Sequence, residues 1–279
     1  YSALRRSFLA VLQLPLFMVS EWWCTWRVIH RYRIDLIHSH WFIPSGLIGA
    51  LLRRFTGIPH VATVHGSDVN ILKKYMLLHP FCRFITRNSS FITVNSTYMK
   101  RQLLMVSPGC TEMVRVIPMG IDPEQFASLK NSDIRARYPA EYIIFSAGRL
   151  IELKGITYLI EAMPGILSRF PDTRLLIAGD GPEKENLIKK IQTLNLGSRV
   201  TLLGTISHQD LPDYYHSADI FVLPSIFTSG MTEALGVVLL EAMASGCPVI
   251  GSNIGGIPDI ITDGENGFLV PERNPVILA

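Results

Sequence analysis

The sequence predicts an α/β protein of two lobes, each built on a parallel sheet. Three observations predict it. Short β-branched runs alternate with longer amphipathic stretches from Asp35 onward, the signature of repeated βαβ units. A polar stretch with two prolines interrupts that alternation once. The 279 residues are 48% hydrophobic and 18% charged, an ordered composition with enough apolar surface for a core in each half.

At the front, Arg5 and Arg6 followed by FLAVLQLPLFMVS have the look of a secretory signal without its cleavage site. This stretch contains Pro15, stops at Ser20 and Glu21, and is too short to span a bilayer. Trp22, Trp23 and Trp26 follow, with Arg27, Arg31 and Arg33. Indole rings and arginine stems suit a half-wet lipid interface, and peripheral membrane contact through the first lobe is one reading. A buried helix pair is the plainer one.

The first series of strands is IDLIHSH, HVATVH, SFITVN and VRVIPM. Between them lie SGLIGALLRRF, a helix around Lys73 to Thr86, and STYMKRQLL, for which Ser96 supplies an N-cap. The stretch IDPEQFASLKNSDIRARYPAEY lacks an apolar period long enough for a core element and reads as a connection. The expected division is a first lobe over residues 1–125, a connection over 126–140 and a second lobe over 141–279. The second series has strands YIIFSAGRL, TRLLIAGDGP, RVTLLG, IFVLPS and PVIGS, with helices over ITYLIEAMPGILSRF, Glu183 to Leu194, Leu211 to Ser217 and Glu233 to Ser245.

Charge excludes one class of partner. Lys plus Arg total 26 against 23 Asp plus Glu, a net +3 with no run of five like charges, so no nucleic-acid arm is read. Cys24, Cys82, Cys110 and Cys247 are scattered without zinc-site or CxxC spacing, which suits a reduced, cytoplasmic compartment.

Four constellations could carry chemistry. In TEALGVVLLEAMASGCPVI, Glu233 and Glu241 are eight residues apart on an expected helix from Thr232 to Gly246, roughly 12 Å along its axis. That is too far for an acid–base pair on one bond and suits two carboxylates gripping separate hydroxyls of an elongated ligand. Glu233 is expected in the first helical turn, where exposed N–H groups also welcome a phosphate. The plainer reading is two solvated glutamates. In AGRLIELKG, Gly148 lets a ligand approach while Arg149 and Lys154 could neutralise a diphosphate; otherwise Glu152 or Glu161 answers the charge. In AGDGPEKENL, Gly179 and Gly181 invite a dinucleotide fingerprint, but Lys184 stands where its third glycine belongs, so a tight turn is expected. In HVATVHGSD, His65 ends a strand before Asp68, where open α/β sheets bind ligands. His38 and His40 occupy the preceding strand's edge and are expected to point apart, so no metal is assigned.

These residues carry a resemblance. Glu233 through Val249, AGRLIELKG, VTLLGTISHQDLPDYYHSADIFVLPS, GIPDIITDGENGFLV and the VHGSD turn together resemble family 4 of the retaining, nucleotide-sugar-dependent glycosyltransferases. The resemblance runs from about Asp35 to Pro271 and is most specific in the second lobe. It implies the GT-B fold, two Rossmann-like lobes with parallel sheets facing across a cleft, and a metal-independent reaction without cofactor. The chain has no D-x-D motif of the metal-using glycosyltransferase fold.

Residue by residue, the resemblance implies that Arg149 and Lys154 stabilise the departing diphosphate beside Gly148, that Glu233 contacts donor-sugar hydroxyls, and that Glu241 holds the ribose diol. Amides around Leu235, Gly236 and Val237 would meet the phosphates, Thr205 and Ile206 would border the base, and His65 would lie near the transferred sugar. The implied activity is retaining transfer of a hexose-like sugar from a nucleotide diphosphate to a glycan or lipid-linked acceptor, in polysaccharide or glycolipid biosynthesis. Ala234, Met119 and the length between Pro224 and Glu233 depart from the family pattern. The family's opening strand and acceptor loop have no counterpart before Tyr1, nor its closing helices after Ala279, and a chain truncated at both ends is expected. The competing class is a nucleotide-binding but catalytically silent fragment or partner subunit.

Overall fold

The computed structural model describes residues 8–128 and 133–279. Arg5, Arg6 and residues 129–132 of the expected connection lie outside the described residues. The chain divides into two compact units between Pro118 and Met119.

The first unit contains α1 (Phe8–Arg31), β1 (Ile37–His40), α2 (Leu47–Thr56), β2 (His60–Val64), α3 (Ser67–Lys74), α4 (His79–Arg87), β3 (Phe91–Val94), α5 (Thr97–Val106) and β4 (Val114–Val116). The four strands form a parallel sheet in chain order. Ala62, Val64, Ile92 and Val94 alternate into its core, as period-two side chains on a pleated strand must. Ser96 caps α5 by accepting from the Met99 amide at 3.2 Å. The single helix expected around Lys73 to Thr86 is two, α3 and α4, separated at Tyr75 to Leu78. Pro80 explains the break: its ring suits a first turn and has no N–H for a continuing helix.

Helix α1 packs through one set of its apolar residues and leaves another set open. Trp22 and Trp26 stack at 5.9 Å, and with Met18 and Ile29 they pack against Ile37, Ile48 and Leu52. Leu16, Phe17, Val19 and Trp23 remain exposed. Among the described residues, no helix is long and apolar enough to cross a membrane.

The second unit contains α6 (Pro123–Ala127), α7 (Ile134–Arg137), β5 (Tyr142–Ala147), α8 (Ile156–Arg169), β6 (Thr173–Ala178), α9 (Lys184–Thr193), β7 (Val200–Gly204), α10 (Leu211–Ser217), β8 (Ile220–Leu223), α11 (Val237–Ala244), β9 (Val249–Ser252), β10 (Phe268–Val270) and α12 (Pro275–Leu278). Its six strands are parallel in the order β10-β9-β8-β5-β6-β7. The order reverses between β5 and β8, the position where open α/β sheets leave a crevice at their carboxyl edge. The stretch read as a connection does supply core. Phe126 is 1% exposed and Ile134 is buried beside it, packed with Phe145, Tyr215 and Phe221. The Phe126 carbonyl also accepts from His216 Nε2 at 2.9 Å and from Ser245 Oγ at 3.1 Å. Two isolated aromatic or β-branched residues can seat a segment that shows no periodicity of its own.

Candidate functional site

Two loops meet at the carboxyl edge of the second sheet, one after β5 and one after β8. The β5 loop runs through Gly148, Arg149 and Lys154 to Gly155, whose φ of 63° lies in the left-handed region. A Cβ at Gly155 would fall 2.0 Å from the Pro224 carbonyl oxygen, so only glycine lets the two loops touch. Across this contact, Lys154 Nζ donates to Glu233 Oε2 at 2.6 Å and Ser225 Oγ donates to the same oxygen at 3.0 Å. Lys154 and Glu233 are largely buried, with side chains 17% and 13% exposed. Their partners are therefore each other, and Glu161 pairs with Lys190 instead.

Glu233 is not in the first turn of a helix, as the sequence reading had it. Helix α11 begins four residues later at Val237, behind Gly236 at φ 92°. The segment before it is not helical: the Glu233 carbonyl accepts from the Gly256 amide at 3.0 Å, with Gly255 packed so closely that a Cβ would lie 2.1 Å from that oxygen. The axial spacing of about 12 Å consequently does not apply to Glu233 and Glu241. Leu235, Gly236 and Val237 instead form the entry to α11, where the first amides of a helix lack intrahelical partners.

Glu241, within α11, is 6% exposed. Tyr215 OH donates to its Oε2 at 2.8 Å, and His208 Nε2 lies 3.3 Å from its Oε1. Gln125 Nε2 donates to His208 Nδ1 at 3.0 Å, which leaves the imidazole proton on Nε2, facing the carboxylate. Burial and the Glu241 charge push the Tyr215 hydroxyl far above its ordinary value, so it stays a donor. Ser225, Tyr215, His208 and Gln125 are not singled out by the sequence, although all four stand in the segments quoted above.

Thr205 is exposed and Ile206 half-buried in the loop after β7, which is tied to the neighbouring turn by the Gly179 amide donating to the Gly204 carbonyl at 2.7 Å. Arg149 is exposed beside Gly148. The glycines of AGDGP serve the turn: a Cβ at Gly179 would lie 1.9 Å from the Gly148 carbonyl oxygen.

The first unit carries its own cluster at its sheet edge. His40 Nδ1 and His65 Nε2 are hydrogen-bonded at 2.9 Å, and the His38 and His40 rings are 4.5 Å apart. The expectation that these two histidines point apart is corrected: residues two apart on a strand share a face. His38 Nε2 is bonded to Thr63 Oγ1 at 2.7 Å. Burial lowers the His65 pKa against the opposing pull of Asp68, and burial followed by the neighbouring histidines lowers that of His38. Asp68 is 2% exposed and accepts from the Phe42 amide at 3.2 Å, with burial raising its carboxyl. Among the described residues, no group of three or more His, Cys, Asp or Glu side chains is placed to hold a metal ion.

Comparisons with known proteins agree on both units. The model of glycosyl transferases group 1 matches residues 129–279, and that of glycosyltransferase family 4 matches residues 2–125. An uncharacterized glycosyltransferase of Methanocaldococcus jannaschii is 33% identical over 252 residues, covering 89% of this chain and 64% of its own length. A GDP-mannose-dependent phosphatidylinositol monomannoside mannosyltransferase of Mycolicibacterium smegmatis is 31% identical, covering 88% of this chain and 65% of its own. The sucrose-phosphate synthase structure from Thermosynechococcus elongatus superposes with a TM-score of 0.77 at 30% identity, over 95% of this chain and 66% of that one. The chain thus spans just under two thirds of the length of these two curated relatives.

Proposed function

This chain belongs to the glycosyl transferases group 1 family, and from that premise we propose that it transfers a sugar from a nucleotide-diphosphate donor to a glycan or lipid-linked acceptor with retention at the anomeric carbon. The observation that carries the reading is the Lys154–Glu233 pair, held at 2.6 Å at the switch point of the second sheet beside the start of α11. A largely buried ammonium at the carboxyl edge is placed to take a leaving diphosphate, with Arg149 as an exposed second cation.

The residues divide the work by chemistry. Lys154, Arg149 and the amides of 235–237 offset the charge that develops as the bond from the sugar C1 to the diphosphate oxygen breaks. Lys154 and Ser225 both occupy Glu233 Oε2, so Oε1 faces a donor-sugar hydroxyl. Glu241 takes the ribose diol, and Thr205 and Ile206 border the base. The acceptor oxygen forms the new bond to C1 and its proton passes to the departing diphosphate. The reading needs no metal and no cofactor, the nucleotide sugar being a substrate.

A lipid-linked acceptor is supported by the relative named for a phosphatidylinositol mannoside and by α1, which carries exposed Phe17 and Trp23 ahead of Arg27 and Arg31. This arrangement favours peripheral contact of the first unit with a membrane surface. The test is turnover of radiolabelled UDP-, GDP- and ADP-sugars with and without lipid extract, by the wild-type chain and by Lys154→Ala. Transfer or donor hydrolysis that falls in the variant supports the reading. Nucleotide binding without either would favour a catalytically silent module.

A further inference from the structure

The carboxylate of Glu241 is held asymmetrically. Its Oε2 faces inward to Tyr215, whose fully buried ring is fixed by Phe145 and Phe221, each 5.3 Å away, and by Phe126 at 6.2 Å. Its Oε1 faces His208, whose side chain is 58% exposed and whose contact, at 3.3 Å, is the longer of the two. One partner is therefore locked in an aromatic cluster, while the other, bonded to Gln125, is more than half exposed. A carboxylate with both oxygens free would rotate about its last torsion and present either; one with a single oxygen pinned presents the other in a fixed direction.

We propose that Tyr215 is a positioning residue, its hydroxyl pinning Oε2 of Glu241 so that Oε1, once His208 yields it, meets the ribose diol and selects ribonucleotides over 2′-deoxyribonucleotides. The inference rests on the reading of Glu241 as the ribose ligand. Tyr215→Phe removes one oxygen and keeps the ring, so a role confined to packing would leave nucleotide preference unchanged. The positioning role predicts a selective effect. A hydrogen bond to a charged group discriminates by about tenfold or more, and that ribose preference decays when the carboxylate is free to turn.

The experiment is calorimetric titration of the full chain with UDP, GDP and ADP, then with the 2′-deoxy form of whichever binds, for the wild type, Tyr215→Phe and Glu241→Ala. The expected result is a ribose preference of about tenfold in the wild type, near unity in Glu241→Ala, and at least about threefold reduced in Tyr215→Phe, with little change in affinity for the deoxy form. An unchanged preference in Tyr215→Phe alongside its loss in Glu241→Ala overturns the positioning role alone, as does an equal loss for both nucleotide forms. A preference that survives Glu241→Ala, or binding of none of the three nucleotides, overturns the ribose reading and this inference with it. Should Tyr215→Phe fail to fold, Glu241→Asp replaces it: the shorter carboxylate withdraws from the hydroxyl, and retention of the full preference would overturn the proposal.

Discussion

Lys154 Nζ sits 2.6 Å from Glu233 Oε2, joining the turn after β5 to the irregular segment between β8 and α11. The pair explains how an ammonium and a carboxylate coexist with little exposure: each offsets the desolvation of the other, and Ser225 adds a second donor to Oε2. Lys154→Ala is therefore expected to lower turnover by about 10²–10³-fold at saturating nucleotide sugar, the range for removing a group that stabilises developing negative charge. Single-turnover kinetics check it. Loss confined to KM would assign Lys154 to ground-state binding alone.

Gly179 gives a second prediction, about architecture. At φ 136° and with a Cβ position 1.9 Å from the Gly148 carbonyl oxygen, no side chain fits without separating the turns after β5 and β6. Gly179→Ala should destabilise the chain by about 2–4 kcal/mol. Urea unfolding followed by circular dichroism measures it. An effect below about 0.5 kcal/mol would mean that the turns yield freely.

The sequence made the alternation of strands and helices legible because parallel strands buried on both faces read as continuous apolar runs, as YIIFSA and TRLLIA do. It also singles out Lys154, Glu233 and Glu241 as candidates, because they stand in long motifs. What it hid was spatial. The start of α11 is marked by left-handed Gly236 and by the Gly256 amide taking the Glu233 carbonyl, and the second of these is a contact no local pattern carries. The Tyr215–Glu241 bond spans 26 residues and leaves no local trace. Phe126 lies in a polar stretch whose burial depends on partners around 90 residues away or more, His216 and Ser245.

Phe126 supplies a third prediction. Its ring is buried against Tyr215 and lies edge-on to His208 at 5.4 Å, so truncation removes both core and a wall of the Glu241 network. Phe126→Ala should cost about 3–5 kcal/mol. Thermal unfolding of the variant against the wild type tests it; near-wild-type stability would return residues 126–140 to the status of a loose connection.

His60 sets a pH dependence of stability in the first unit. Its imidazole is fully buried, with Nε2 2.8 Å from Ser39 Oγ and Nδ1 3.1 Å from Ser89 Oγ, and it lies so near Gly49 that a Cβ there would meet Nε2 at 2.3 Å. Burial pushes its pKa from 6.5 down to about 4, against a smaller upward pull from the hydrogen bond with the Asn88 backbone. Between these values the unfolded chain binds the proton and the folded chain does not, so protonation favours unfolding. The contribution is complete above pH 6.5 and is lost as pH falls toward 4, a window set by the two values. Its full size is on the order of 3 kcal/mol. Lowered pKa values at His38 and His65 act in the same direction, so the comparison must isolate His60. Urea midpoints between pH 4.5 and 7.5 should fall more steeply on acidification in the wild type than in His60→Gln, an uncharged side chain that can still meet a serine. Parallel slopes would show that the imidazole is protonated within the fold and that its two serine contacts, rather than its neutrality, hold it in place.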